Sequence, residues 1–152
     1  MTAYLTLEEA NTYFNSSRLI KDAWDKSDDA KRTRALNQAS NIIDNINYEG
    51  EKLDVNQEHQ FPRTPSTSTS IPVDILNACA EIAYVLLEGK DPEKEFENLQ
   101  ITQEEFANQL RVNYNRATVP EHIIAGVPSI IAWRYLKPYV SDIRVIAVSR
   151  VS

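Results

Sequence analysis

The sequence predicts a mainly α-helical fold: a small helical bundle around one central buried helix at about residues 71–88, with a short segment at about 99–116 and an extended C-terminal stretch. Three observations predict it. The chain from Phe61 to Gly89, FPRTPSTSTSIPVDILNACAEIAYVLLEG, passes from a polar small-residue loop into the most apolar helical pattern in the sequence. There Asp74, Asn77, Glu81 and Glu88 share one narrow stripe, and Ile75, Leu76, Cys79, Ile82, Val85 and Leu86 fill the rest. A helix that is apolar nearly all round is buried nearly all round. Capping signals also precede two other helical patterns, and the last ten residues are β-branched and alternate polar with apolar.

The first helix is expected over residues 7–17. Thr6 and Glu9 form a capping box, and Leu7, Ala10 and Phe14 follow at helical spacing. Trp24 then reads as a loop aromatic covering the core. Ser27, Asp28 and Asp29 cap a helix over about 28–47, with Ala35, Leu36, Ala39, Ile42, Ile43 and Ile46 on one stripe. Lys31, Arg32 and Arg34 lie on its solvated side. Tyr48 to Ser70 is a loop by composition, with two prolines and the tract TPSTSTS. Loops of about 20 residues inside a domain are usually functional or disordered.

Ser70 and Pro72 suit the start of the central helix, Gly89 suits its left-handed end, and Pro92 blocks continuation. An acidic connector, KDPEKEFENLQ, follows. Residues 99–116 carry two signals. Thr102 to Glu105 imitate a capping box, whereas Leu110, Val112 and Tyr114 alternate with polar residues as in a strand. Pro128 begins a last helix containing Ile130, Ile131, Trp133, Tyr135 and Leu136, and Pro138 ends it. Residues 1–141 thus form one domain, and residues 142–152 form an extended tail. As a free tail it would expose Ile143, Val145, Ile146 and Val148 between Arg144 and Arg150, so it either adds as a strand to this domain or docks on another chain by strand addition. The expected core includes Phe14, Ile43, Ile75, Ile82 and Leu86.

Charge and composition narrow the function. The net charge of −6 is unevenly spread, with −4 over residues 1–60, −7 over 71–108 and +4 over 109–152. Overall acidity weighs against non-specific nucleic-acid binding, which needs cations facing phosphates. The one cysteine, Cys79, sits in the apolar helix and reads as a small buried hydrophobe. No run of about 18 apolar residues occurs, and the N-terminus lacks the pattern of a secretory signal. A cytoplasmic setting is therefore expected. Glu58 and His59 read as a surface pair, and Glu81 as a solvent-edge or hydrogen-bonded helix residue. No metal-ligand spacing, nucleophile motif or phosphate-cradling glycine loop is present, so neither an enzyme nor a cofactor is expected.

Several of these residues together resemble a phage family. Thr6, Glu9, Ala10, Tyr13 and Phe14 match its opening box, and Trp24 follows at its spacing. Ile43-Asp44, then Tyr48, Gly50 and Lys52, then Phe61-Pro62-Arg63 continue the pattern. Ile71, Pro72 and Glu81 match its central helix, and Leu136, Pro138 and Tyr139 its closing one. The chain is similar to the head–tail connector, adaptor or head-completion proteins of tailed phages. Some relatives of that family are labelled DnaT-like single-stranded-DNA-binding proteins. Ala107-Asn108 stands where the family's hairpin often carries glycine, and the Ser/Thr tract has no fixed counterpart.

The resemblance implies a small β-hairpin at about 99–116. It implies a homo-oligomeric ring, usually of twelve copies, beneath the portal protein of the virion at the head–tail junction. Such a ring is assembled in the host cytoplasm, extends the channel for duplex DNA and presents a surface to a stopper or tail protein. The apolar tail, residues 143–150, is the expected portal contact, and Phe61, Arg63 and Thr64 form the expected inter-subunit loop. The alternative is a DnaT-like accessory protein binding single-stranded DNA. Arg111, Tyr114, Arg116, Trp133 and Arg134 are its candidate contacts.

Overall fold

Apolar periodicity and capping place the helices, and the central one gathers the others. The computed structural model describes residues 2–65, 69–98, 103–106, 110–113 and 120–141. Helix α1, Leu7–Ser17, starts at the expected capping box: the Thr6 hydroxyl accepts from Glu9 N, and the Glu9 carboxylate accepts from Thr6 N. Trp24 is buried as expected, but on a single helical turn, α2 (Asp22–Asp25), rather than in a loop. Its indole donates to Asn11 Oδ1 at 2.9 Å.

Helix α3 runs Asp29–Asp44 with Asp28 as N-cap, three residues shorter at its C-terminus than the pattern suggested. Ile46, which read as the last residue of its stripe, is buried from the turn beyond it. The segment 48–65 then folds back on itself. Strands β1 (Glu51–Lys52) and β2 (Arg63–Thr64) pair antiparallel, and the Phe61–Pro62 and Thr64–Pro65 peptide bonds are cis. Gly50 turns into β1 at φ +75, and a Cβ there would lie 2.0 Å from the Thr64 carbonyl oxygen. Only glycine fits both demands.

The central helix α4, Val73–Leu87, packs chiefly against α3 on one side and against α7 (Ile130–Leu136) on the other. Ile75, Ala78, Cys79, Ile82, Ala83 and Tyr84 are buried between them. Pro72 is the N-cap itself rather than a first-turn residue, and no side chain caps the end, so Ser70 does not play the role its position suggested. Gly89 takes the left-handed conformation at φ +94. The acidic connector contains a helix, α5 (Pro92–Asn98), because proline is as well tolerated at a helix start as it is disruptive inside one.

Strands β3 (Gln103–Phe106) and β4 (Leu110–Asn113) form an antiparallel hairpin, with Gln103 opposite Asn113 and Phe106 opposite Leu110. Over Leu110–Asn113 the strand pattern thus prevails over the capping-box mimic. Helix α6, Glu121–Ile124, was not anticipated. Ser129 caps α7, so Pro128 precedes the helix rather than standing in its first turn, and Pro138 lies in a 3-10 turn at Lys137–Tyr139. The chain then bridges back, with Tyr48 opposite Val140 and Ser141 N donating to the Asn47 carbonyl at 3.1 Å. The architecture is a mainly helical bundle with one small hairpin.

Candidate functional site

Three groups of side chains stand out from the packed core. The first clamps the long loop. Phe61 is 2% exposed, with its ring edge-on to Tyr48 and Tyr139. Arg63 is 6% exposed and faces inward. Its guanidinium donates to the carbonyls of Glu49 at 3.0 Å and Gly50 at 2.6 Å, and to Gln60 Oε1 at 2.8 Å. Longer contacts reach the carbonyls of Gln60 and Tyr48. The expectation that Phe61 and Arg63 would contact a neighbouring subunit is therefore corrected. A planar five-donor group is the natural way to satisfy loop carbonyls that pair with no strand. Only Thr64 of that trio is exposed.

The second group joins the N-terminus to the same loop. The Asp44 carboxylate accepts from the Tyr4 hydroxyl at 2.5 Å and from Gln60 N at 3.0 Å. His59 Nδ1 lies 2.7 Å from its other oxygen, and the imidazole stacks on Tyr4 with centroids 4.2 Å apart. A carboxylate only accepts, so Nδ1 carries the proton. Glu58 turns away to bind Thr2, so the surface pairing of Glu58 with His59 is also corrected. An aspartate orienting a histidine resembles half of an acid–base relay. Here His59 Nε2 is buried without a partner, so no substrate reaches it. Burial, with Asp44 adding to it, pushes the Tyr4 phenol far above its ordinary value.

The third group lies at the other end of α1. Glu81 is buried on α4, and its carboxylate accepts from Tyr13 Oη at 2.6 Å and from Arg18 Nη1 at 2.5 Å. The Arg18 guanidinium also sits 3.6 Å above the Tyr84 ring centroid, and its Nε donates to the Ile20 carbonyl at 2.8 Å. Glu81 is thus hydrogen-bonded, one of the two roles expected of it, and is itself buried. Nothing in sequence spacing pointed to Arg18, 63 residues away.

Other expected site residues fall as follows. Phe14, Ile43, Ile75 and Ile82 are in the core, and Leu86 is half-buried against it. Ile143, Arg144, Val145, Ile146, Val148 and Arg150 lie outside the described residues, as do Tyr114 and Arg116. Trp133 is buried between α7 and α4, which removes it as a base-stacking platform, while Arg134 is exposed. Cys79 is buried with its thiol pushed up to about 11 by burial. Among the described residues no His, Cys, Asp and Glu cluster could hold a metal, and no helix is long and apolar enough to cross a membrane.

Several apolar side chains lie on the surface. Leu19 and Ile20 project beside the Arg18–Glu81 pair, and Ile124, Ile130 and Ile131 are exposed around α6 and α7. Phe96, on the acidic α5, is about half exposed. A family model described as "Putative DnaT-like ssDNA binding protein" matches residues 1–145. The chain belongs to this family. No curated protein and no solved structure matches it. The family match spans all three groups of side chains and the hairpin, so the clamped loop and the buried Glu81 belong to the matched region.

Proposed function

We propose that the protein is a structural subunit, a head–tail adaptor of a tailed phage, that assembles as a ring under the portal and extends the DNA channel. The observation that carries this reading is the character of the surface. Large aliphatic side chains are exposed at Leu19, Ile20, Ile124, Ile130 and Ile131, while Phe96, an aromatic about half exposed, is set among Glu93, Glu95 and Glu97. Exposed apolar side chains grouped beside polar ones suit protein–protein contact. A single-strand platform needs aromatic faces on a basic groove, and carboxylates around Phe96 repel phosphate. The buried Arg63 and Asp44–His59 clamps hold the long loop in place.

The tail from residue 142 supplies the portal contact in this reading. The residues that precede it are anchored by the Tyr48–Val140 bridge. Removing residues 142–152 abolishes portal attachment and leaves the bundle folded. A truncated protein that cannot fold contradicts the docking role.

The family description favours a second reading, a DnaT-like accessory protein that binds single-stranded DNA. Fluorescence polarisation with a labelled oligonucleotide across a salt series separates the two. The adaptor shows weak binding at most. Tight binding that falls steeply with salt, as counterion release requires, replaces the adaptor reading with the second one.

A further inference from the structure

We propose that residues 2–5 form a strap that opens as a unit ahead of the rest of the bundle and gates the Cys79 thiol. The segment is neither helix nor strand, and side chains hold it. Thr2 donates its N–H and its hydroxyl to the two oxygens of Glu58, at 2.9 and 2.7 Å. Tyr4 N donates to Ser40 Oγ at 2.9 Å, and the Tyr4 hydroxyl donates to Asp44 Oδ1 at 2.5 Å. The Tyr4 ring also stacks on His59. These contacts tie the strap to α3 and to the loop at 58–59. Cys79 lies beneath it. The sulfur is 3.5 Å from Ser40 Oγ, and the backbone N–H groups of Tyr4 and Leu5 face it.

Both neighbours of the strap close without it. On one side, the Thr6–Glu9 box satisfies the start of α1, and Ala10 and Phe14 seat that helix in the core. On the other, Arg63 gathers the Glu49 and Gly50 carbonyls and Gln60, and Gln60 N reaches Asp44 directly. Releasing residues 2–5 therefore unravels neither α1 nor the clamped loop. A segment between self-sufficient neighbours opens locally, at a smaller free energy than global unfolding. Tyr4 and Leu5 are themselves buried, so the open fraction is small and the wild-type thiol stays protected. Opening uncovers Ser40, Asp44 and Cys79, on the facing helices α3 and α4.

The rate at which an aromatic disulfide reagent labels Cys79, measured in rising urea beside circular dichroism, tests this. Tyr4→Phe keeps the ring but removes the bond to Asp44, and Glu58→Ala removes both Thr2 bonds at an exposed site. Together they raise the open fraction about 30-fold. Strap opening exposes little surface, so at low urea the double variant labels at a rate nearly independent of urea, and steeply only near its unfolding transition. Tyr4→Phe alone, about 10-fold more open, replaces the double variant if that does not fold. Glu81→Ala is the control, because it destabilises the bundle at the other end of α1 and raises only the steep limb. Labelling that follows the full unfolding slope at every urea concentration overturns the proposal. So does a flat limb raised as much by Glu81→Ala as by the strap variants.

Discussion

Replacing Arg63 with alanine separates a structural role from an assembly role at the residue where the two readings diverge. The guanidinium is buried and makes three short hydrogen bonds, to the Glu49 and Gly50 carbonyls and to Gln60 Oε1, with two longer ones beside them. Hydrogen bonds from a charged donor contribute about 1.5–3 kcal/mol each when removed singly, but they are not additive. Water entering the space left by the side chain recovers part of the carbonyls' loss. Arg63→Ala therefore costs about 3–5 kcal/mol, with the three short bonds dominating. For a chain of this size that lowers the melting temperature by on the order of 10 °C. Urea unfolding followed by circular dichroism measures the change. Arg63→Lys keeps the charge, but its single ammonium cannot span carbonyls on both sides of the loop, so it recovers less than half of the loss. An unfolding midpoint within about 1 kcal/mol of wild type, together with defective assembly, would refute the reasoning and return Arg63 to an inter-subunit role.

Three other outcomes follow from the same contacts. Cys79, buried and with its thiol raised to about 11, does not react with a thiol reagent in the native protein and reacts fully once urea unfolds it. Glu81→Ala leaves the half-buried Tyr13 hydroxyl and the partly exposed Arg18 without their carboxylate and costs about 2–3 kcal/mol in the same unfolding assay; a neutral result shows that the pair contributes nothing net. The phenols of Tyr4, Tyr13 and Tyr48 are all raised above the ordinary value of 10.0, chiefly by burial. A raised folded value means that their contribution is intact below about pH 10 and is lost as pH rises above it. Tyrosinate absorbance should then appear together with alkaline unfolding; ionisation of these three before unfolding contradicts their burial.

Helices were legible wherever a local signal matched a tertiary need. The Thr6–Glu9 box, the Asp28 cap and the Gly89 stop each act within one turn, and the apolar periodicity of α4 anticipated its burial between α3 and α7. The clamped loop was not legible. Residues 48–65 read as open loop because their organisers, Asp44, His59 and Arg63, work through carbonyls and carboxylates brought together from 15 or so residues apart. Local periodicity carries no trace of such contacts. Arg18 and Glu81 show the same limit over a longer separation. Helix α5 was missed for the opposite reason: its acidic composition and Pro92 suggest a connector, yet proline and acids both suit a first turn. The exposed Leu19 and Ile20 were readable as apolar residues, but only the packing of Arg18 on Tyr84 shows that they are held outward.

The adaptor reading is tested most directly by imaging this protein mixed with the isolated portal ring by electron microscopy. It predicts an added collar of defined symmetry coaxial with the portal channel, lost when residues 142–152 are removed. A portal ring left bare by a folded, full-length protein would contradict it.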